Sequence, residues 1–111
     1  LATPTLRAML LNVNERRGDP ARVKQVIQEM DPDIVVLVEI SPKWIRDLQW
    51  LAISHPYSCV RPRGDNFGIG VFSKMPLADC EIVFIGEAHV PSIVATIDTR
   101  QGKLCVIATH P

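Results

Sequence analysis

The chain has 111 residues, with 12 basic and 12 acidic side chains, three histidines, 47% apolar and 5% aromatic content. That length admits one domain, and an apolar share near the globular norm with no biased tract excludes a disordered or fibrous chain. A formal net charge of zero excludes the whole-chain positive excess of a non-specific nucleic-acid binder, while a local basic patch stays open. No apolar run is longer than Ile34 to Val38, which falls far short of the ~20 residues of a membrane-spanning helix. Leu1-Ala2-Thr3-Pro4-Thr5 has neither an initiator Met nor the regions of a secretory signal, and reads as the cut end of something longer. Cys59, Cys80 and Cys105 are odd in number and widely spaced. They signal neither a disulfide framework nor a zinc site and are expected to serve as buried small apolar residues.

In chain order, Leu6 to Val13 is apolar on both alternating faces, the pattern of a strand covered on two sides. Asp19 then caps a helix with Pro20 in its first turn, and Val23, Val26, Ile27 and Met30 make one apolar face. The helix stops at Asp31-Pro32-Asp33, and Ile34 to Glu39 follows as a β-branched strand. Ser41-Pro42 caps a second helix, with Trp44, Ile45, Leu48, Leu51 and Ala52 as its apolar face, ending before His55-Pro56. Five short strands are predicted beyond it: Tyr57 to Arg61, Gly68 to Ser73, Cys80 to Ile85, Ile93 to Asp98 and Lys103 to Thr109. The last two are joined around Thr99-Arg100-Gln101-Gly102. No repeat or linker divides the chain.

A β-α-β crossover sets its strands parallel and usually adjacent, so both end on one edge of the sheet, where open α/β sheets bind ligands. Asn12 ends the first strand after Ala8 and Leu10, and Glu39 ends the second after Val35 and Leu37. On neighbouring strands about 4.8 Å apart, the carboxamide and carboxylate can share an ion or hydrogen-bond each other. A strand turning polar as it leaves the core explains both residues without function. Glu39 nevertheless closes a five-residue apolar run, where an unpaired carboxylate is costly unless it reaches solvent, a donor or a cation. Mg²⁺ suits such a site because it keeps several waters and takes one or two protein carboxylates with substrate phosphate oxygens. His110 closes the last strand, as a structural residue or as a donor to a phosphate oxygen or leaving group.

Four stretches carry a resemblance: Leu11-Asn12-Val13-Asn14, Pro32 to Glu39, Phe67 to Leu77, and Ala108-Thr109-His110-Pro111. In order and spacing the chain resembles the N-terminal half of an endonuclease/exonuclease/phosphatase domain, the metal-dependent phosphoesterase fold typified by pancreatic deoxyribonuclease. The resemblance implies an α/β (α+β by some schemes) fold, the N-terminal half of a four-layer α-β-β-α sandwich, with one mixed β-sheet and two helices on one face. It implies that Glu39 binds the metal, Mg²⁺ or Mn²⁺, that Asn12 supports that metal or the scissile phosphate, and that His110 contacts the phosphate. Gly68 and Ser73 match the family's structural signature and receive no chemistry. Trp44-Ile45, Phe67 to Gly70 and Thr109-His110-Pro111 further resemble bacterial members whose catalytic domain follows a membrane region. A membrane anchor would then lie upstream of Leu1, and otherwise the location is cytoplasmic.

The family's Asp-x-Asn motif and terminal Asp-His pair, which activates the attacking water, find no counterpart in the 111 residues. Residues 1–111 are therefore expected to be a partial domain with little or no activity alone and with an uncovered sheet face that promotes self-association. The implied substrate is a phosphoester, of nucleic acid or of a lipid or inositol phosphate. Arg16, Arg17, Arg61 and Arg63 are candidate phosphate contacts. Arg63-Gly64-Asp65 is read as a chance tripeptide, and His55 and His89 as surface or turn residues. The other class of function is a non-catalytic interaction module that keeps the fold.

Overall fold

The computed structural model describes residues 5–86 and 89–111, so most of the Leu1-Ala2-Thr3-Pro4-Thr5 stretch lies outside the described residues. β1 (Ala8–Asn12) and β2 (Ile34–Val38) pair in parallel, with Asn12 opposite Val38. The crossover between them is α1 (Pro20–Met30). The Asp19 carboxylate accepts from the Ala21 and Arg22 N–H groups, and α1 stops where Asp31 turns left-handed. β4 (Ile69–Ser73) lies antiparallel to β2, and β3 (Tyr57–Arg61) closes the mixed sheet in the order β1-β2-β4-β3. β2 and β4 are buried on both faces, as their unbroken apolar runs require.

The second predicted helix is two short ones, α2 (Pro42–Asp47) and α3 (Leu51–Ser54). Between them the backbone tightens to i→i+3 bonds, Leu51 N–H to Leu48 O at 2.9 Å and Ala52 N–H to Gln49 O at 3.2 Å. Leu48 and Leu51 both stay buried through the break, so the apolar spacing survives it. One core lies between this helical layer and the mixed sheet, built on Val13, Ile27, Leu37, Trp44, Leu51 and Phe72.

The later strands do not extend the mixed sheet. β5 (Leu77–Phe84), β6 (Pro91–Thr99) and β7 (Gly102–Ala108) form a separate antiparallel sheet in the order β5-β6-β7. Its alternation places Ile93, Ala95 and Ile97 inward against Ile34, Val36, Val38, Ile69 and Val71, making a second core between the sheets. The described residues therefore form three layers, helices on mixed sheet on antiparallel sheet, and the single sheet expected from the sequence is corrected to two. Both ladder sides of β4 are occupied by β2 and β3, so the chain starts a new layer instead.

Two further expectations change. β1 is an edge strand that the second sheet does not cover: Leu10 is 56% exposed and Asn12 is also exposed. Cys59 and Cys80 are joined by a disulfide between β3 and β5, with Cα atoms 6.5 Å apart, while Cys105 is free and exposed. Sequence spacing did not show this pair because the two cysteines meet across the sheet interface, a non-local contact.

Candidate functional site

Strand direction decides what meets at each end of the sandwich. The C-terminal ends of β1, β2, β3 and β7 and the N-terminal ends of β4 and β6 all lie at one end, which we call the rim. The other end is stitched by charge and backbone. Lys74 donates to Asp31 at 2.7 Å, the Arg7 N–H donates to Asp33 at 2.8 Å, and the Asp31 carboxyl is held below its ordinary range, chiefly by the Lys74 hydrogen bond.

Asn12, Glu39 and His110 all stand at the rim. Asn12 Oδ1 accepts the Asn14 N–H at 2.8 Å, which fixes the carboxamide locally and leaves its second lone pair and its NH₂ group for a ligand. The alternation read from sequence puts Asn12 and Glu39 on different faces: Leu10 and Asn12 register with Val36 and Val38 on the inter-sheet side, whereas Val35 and Leu37 face the helices. Glu39 escapes that alternation because it lies one residue past β2 and adopts φ 65°. Its N–H and that of Ile40 both donate to Gly68 O, at 2.8 and 3.3 Å. A Cβ on Gly68 would sit 1.7 Å from Ile40 O, so only glycine permits this close approach.

Gly68 and its neighbour Phe67 bring His110 to the same place. The Phe67 and His110 rings meet edge-on with centroids 5.6 Å apart. His110 Nδ1 is 2.8 Å from Pro111 O, and Nε2 is buried with no hydrogen-bond partner among the described residues. A buried unsatisfied ring nitrogen calls for a ligand or water. The loop after β1 is tied in as well, since Glu15 O accepts the Trp44 indole N–H at 3.0 Å and Glu15 Oε2 accepts the Asn66 N–H at 3.1 Å.

Sequence reasoning missed the backbone strain. Asn14, Glu39, Asn66 and His89 all have left-handed φ, between 54° and 68°, and all four stand in rim loops. Such residues cost of order 1–3 kcal/mol and collect at functional sites. Asn and His tolerate the conformation better than most; Glu has no such excuse.

The remaining candidates separate clearly. Arg63 forms a bidentate pair with Asp65 and donates to His89 O at 2.6 Å, so it is committed to the loop and holds the Asp65 carboxyl below its ordinary range. The Arg63-Gly64-Asp65 tripeptide is thereby closed on itself. Arg61 lies over the Phe84 ring at 5.9 Å. Arg16 and Arg17 are exposed. His55, expected at the surface, is 2% exposed, with Nε2 2.7 Å from Pro32 O and Nδ1 2.8 Å from Ser54 Oγ. Ser73 is buried and its Oγ accepts the Met75 N–H at 3.0 Å, a structural role. A cleft of about 240 Å³ between α1 and α3 is lined by Lys24, Asp31, Trp50 and His55, away from the rim.

Among the described residues no cluster of three or more His, Cys, Asp or Glu side chains forms a ready metal cage. The donors present are nonetheless hard oxygens, the half-buried Glu39 carboxylate and the Asn12 carboxamide. That set fits an ion that keeps most of its waters.

No curated protein matches the chain in sequence. Solved structures share its fold. An endonuclease/exonuclease/phosphatase from Beutenbergia cavernae DSM 12333 aligns with TM-score 0.73 and 21% identity over 95% of this chain and 38% of its own. D. rerio TDP2 complexed with single strand DNA product gives 0.77 and 18% over 92% and 44%. Sphingomyelinase C from Streptomyces griseocarneus gives 0.76 and 17% over 97% and 49%. The chain thus spans less than half the length of each. The profile of the Endonuclease/Exonuclease/phosphatase family matches residues 9–110, nearly the whole chain, and the chain belongs to that family.

Proposed function

We propose that the domain hydrolyses phosphoesters with the help of a divalent metal ion, and that the rim is its active site. The observation that carries this reading is the position of Glu39, Asn12 and His110 at one end of the sandwich, the last with a buried Nε2 that has no hydrogen-bond partner among the described residues. Glu39 would hold Mg²⁺ or Mn²⁺ with Asn12 beside it. When bound, such an ion supplies Lewis-acid polarisation of the phosphoryl group. Asn12, its oxygen pinned by Asn14, presents its NH₂ group to a non-bridging oxygen. His110, with Nδ1 engaged by Pro111 O, directs Nε2 at the phosphate and stabilises charge as the bond to the leaving group breaks. The rigid tie of both Glu39 and Phe67 to Gly68 keeps these groups in register.

The substrate is a nucleic-acid or a lipid or inositol phosphoester. Support for both comes from the structural neighbours, one bound to a single strand DNA product and one named a sphingomyelinase. Residues 1–111 are proposed to be part of the catalytic domain and to turn over little by themselves, because the sequence offers no counterpart of the family's terminal Asp-His pair that activates water.

The test is Glu39→Gln in the full-length protein, assayed against plasmid DNA, an inositol phosphate and a lysophospholipid with Mg²⁺. Turnover is expected to drop by about a hundred-fold or more on whichever substrate the parent cleaves. Parent-like turnover in the variant refutes the Glu39 assignment, and a parent inert on all three refutes the enzyme reading in favour of an interaction module.

A further inference from the structure

Besides the inter-sheet core and the Phe67–His110 ring contact at the rim, the two sheets are joined along the side where β3 meets β5. Cys59 points inward from β3 and Cys80 inward from β5, both packed on the inter-sheet core. Two residues further along β3, Arg61 lies over Phe84, four residues further along β5. Covalent bond and cation–π contact together make a seam between the β3 edge of one sheet and the β5 edge of the other. The Cα separation of 6.5 Å is within the range that a disulfide spans without backbone movement.

We propose that the Cys59–Cys80 bond is formed in the working protein, and that the domain therefore folds and acts in an oxidising compartment, outside the reducing cytosol. Persistent disulfides belong to such compartments, because cytosolic thiol systems keep cysteines reduced. Formation breaks the two S–H bonds and makes one S–S bond. The two electrons and two protons pass to a disulfide oxidant of the thiol–disulfide oxidoreductase class, which leaves as a dithiol. The two cysteines are 21 residues apart in sequence, so the bond closes a loop holding β4 and the ends of both sheets. It therefore restrains the unfolded chain as well as the seam. This inference stands on the seam alone and is independent of the chemistry assigned to the rim.

The full-length protein, quenched with acid in the cells that make it and alkylated under denaturing conditions, is digested without reduction. The peptides carrying Cys59 and Cys80 are expected as one linked species that reduction separates, with Cys105 alkylated throughout. Recovery of both peptides alkylated before reduction overturns the proposal. In the purified protein, reduction is expected to lower the unfolding midpoint by about 10 °C, and Cys59→Ser to do the same, while Cys105→Ser changes it little. A midpoint indifferent to reduction overturns the seam as a stabilising element, and reduction of the parent supplies that test even where Cys59→Ser fails to fold.

Discussion

Asp31 and Asp65 are carboxyls whose partners favour ionisation and so lower their pKa, through the Lys74 and Arg63 hydrogen bonds respectively. A folded-state pKa below the unfolded value of 3.8 means stability that is in place above that pH and is lost as pH falls through the folded value. Both groups are open to solvent, so the contribution is small. Asp31→Asn is expected to lower the urea midpoint slightly at pH 7 and to leave it unchanged near pH 2; equal midpoints at both pH values would mean that the pair contributes nothing. At this scale the site was partly legible. Asn12, Glu39 and His110 announce themselves as polar residues closing apolar strands. The left-handed backbone of Glu39 does not, because nothing in its side chain favours that conformation; it is imposed by the Gly68 carbonyl. Gly68→Ala, forced against Ile40 O, is accordingly expected to cost more than about 2 kcal/mol in denaturant unfolding, beyond the usual cost of a surface substitution, and an undisturbed midpoint would contradict the close approach.

At the scale of elements, α1 was legible to the residue because its signals are local: a capping aspartate, a first-turn proline, and Asp31-Pro32 at the exit. Asp19→Ala should cost about 1 kcal/mol of unfolding free energy, and a neutral result would show that the cap is satisfied some other way. The break between α2 and α3 was not legible, since Leu48 and Leu51 fit one helix or two equally well. The second sheet was legible only in part. β2 and β4 are buried along their whole length, whereas β6 alternates buried with half-buried positions beyond Ile93, which is the difference between strands covered on both faces and strands covered on one. That contrast marks two sheets, but which strand pairs with which is a non-local matter that spacing along the chain does not encode. The Cys59–Cys80 pairing was hidden for the same reason.

For the molecule as a whole, the face expected to lie open proves to be divided. Sheet stacking covers the inner faces of β2 and β4 but leaves Leu10 on β1 exposed, and Ile107 on the outer side of β7 is 65% exposed. Apolar side chains so placed predict that the 111-residue chain self-associates at micromolar concentration; a single monomeric boundary in sedimentation velocity would contradict this. The seam adds a mechanical consequence. β1 and β7 are the strands farthest from it in their respective sheets, and they carry Asn12 and lead into His110. Separation of the layers is restrained covalently at the seam, whereas His110 is tied across by the non-covalent contact of its ring with Phe67. A bond remote from the proposed phosphate site would in this way limit how far the two layers can separate.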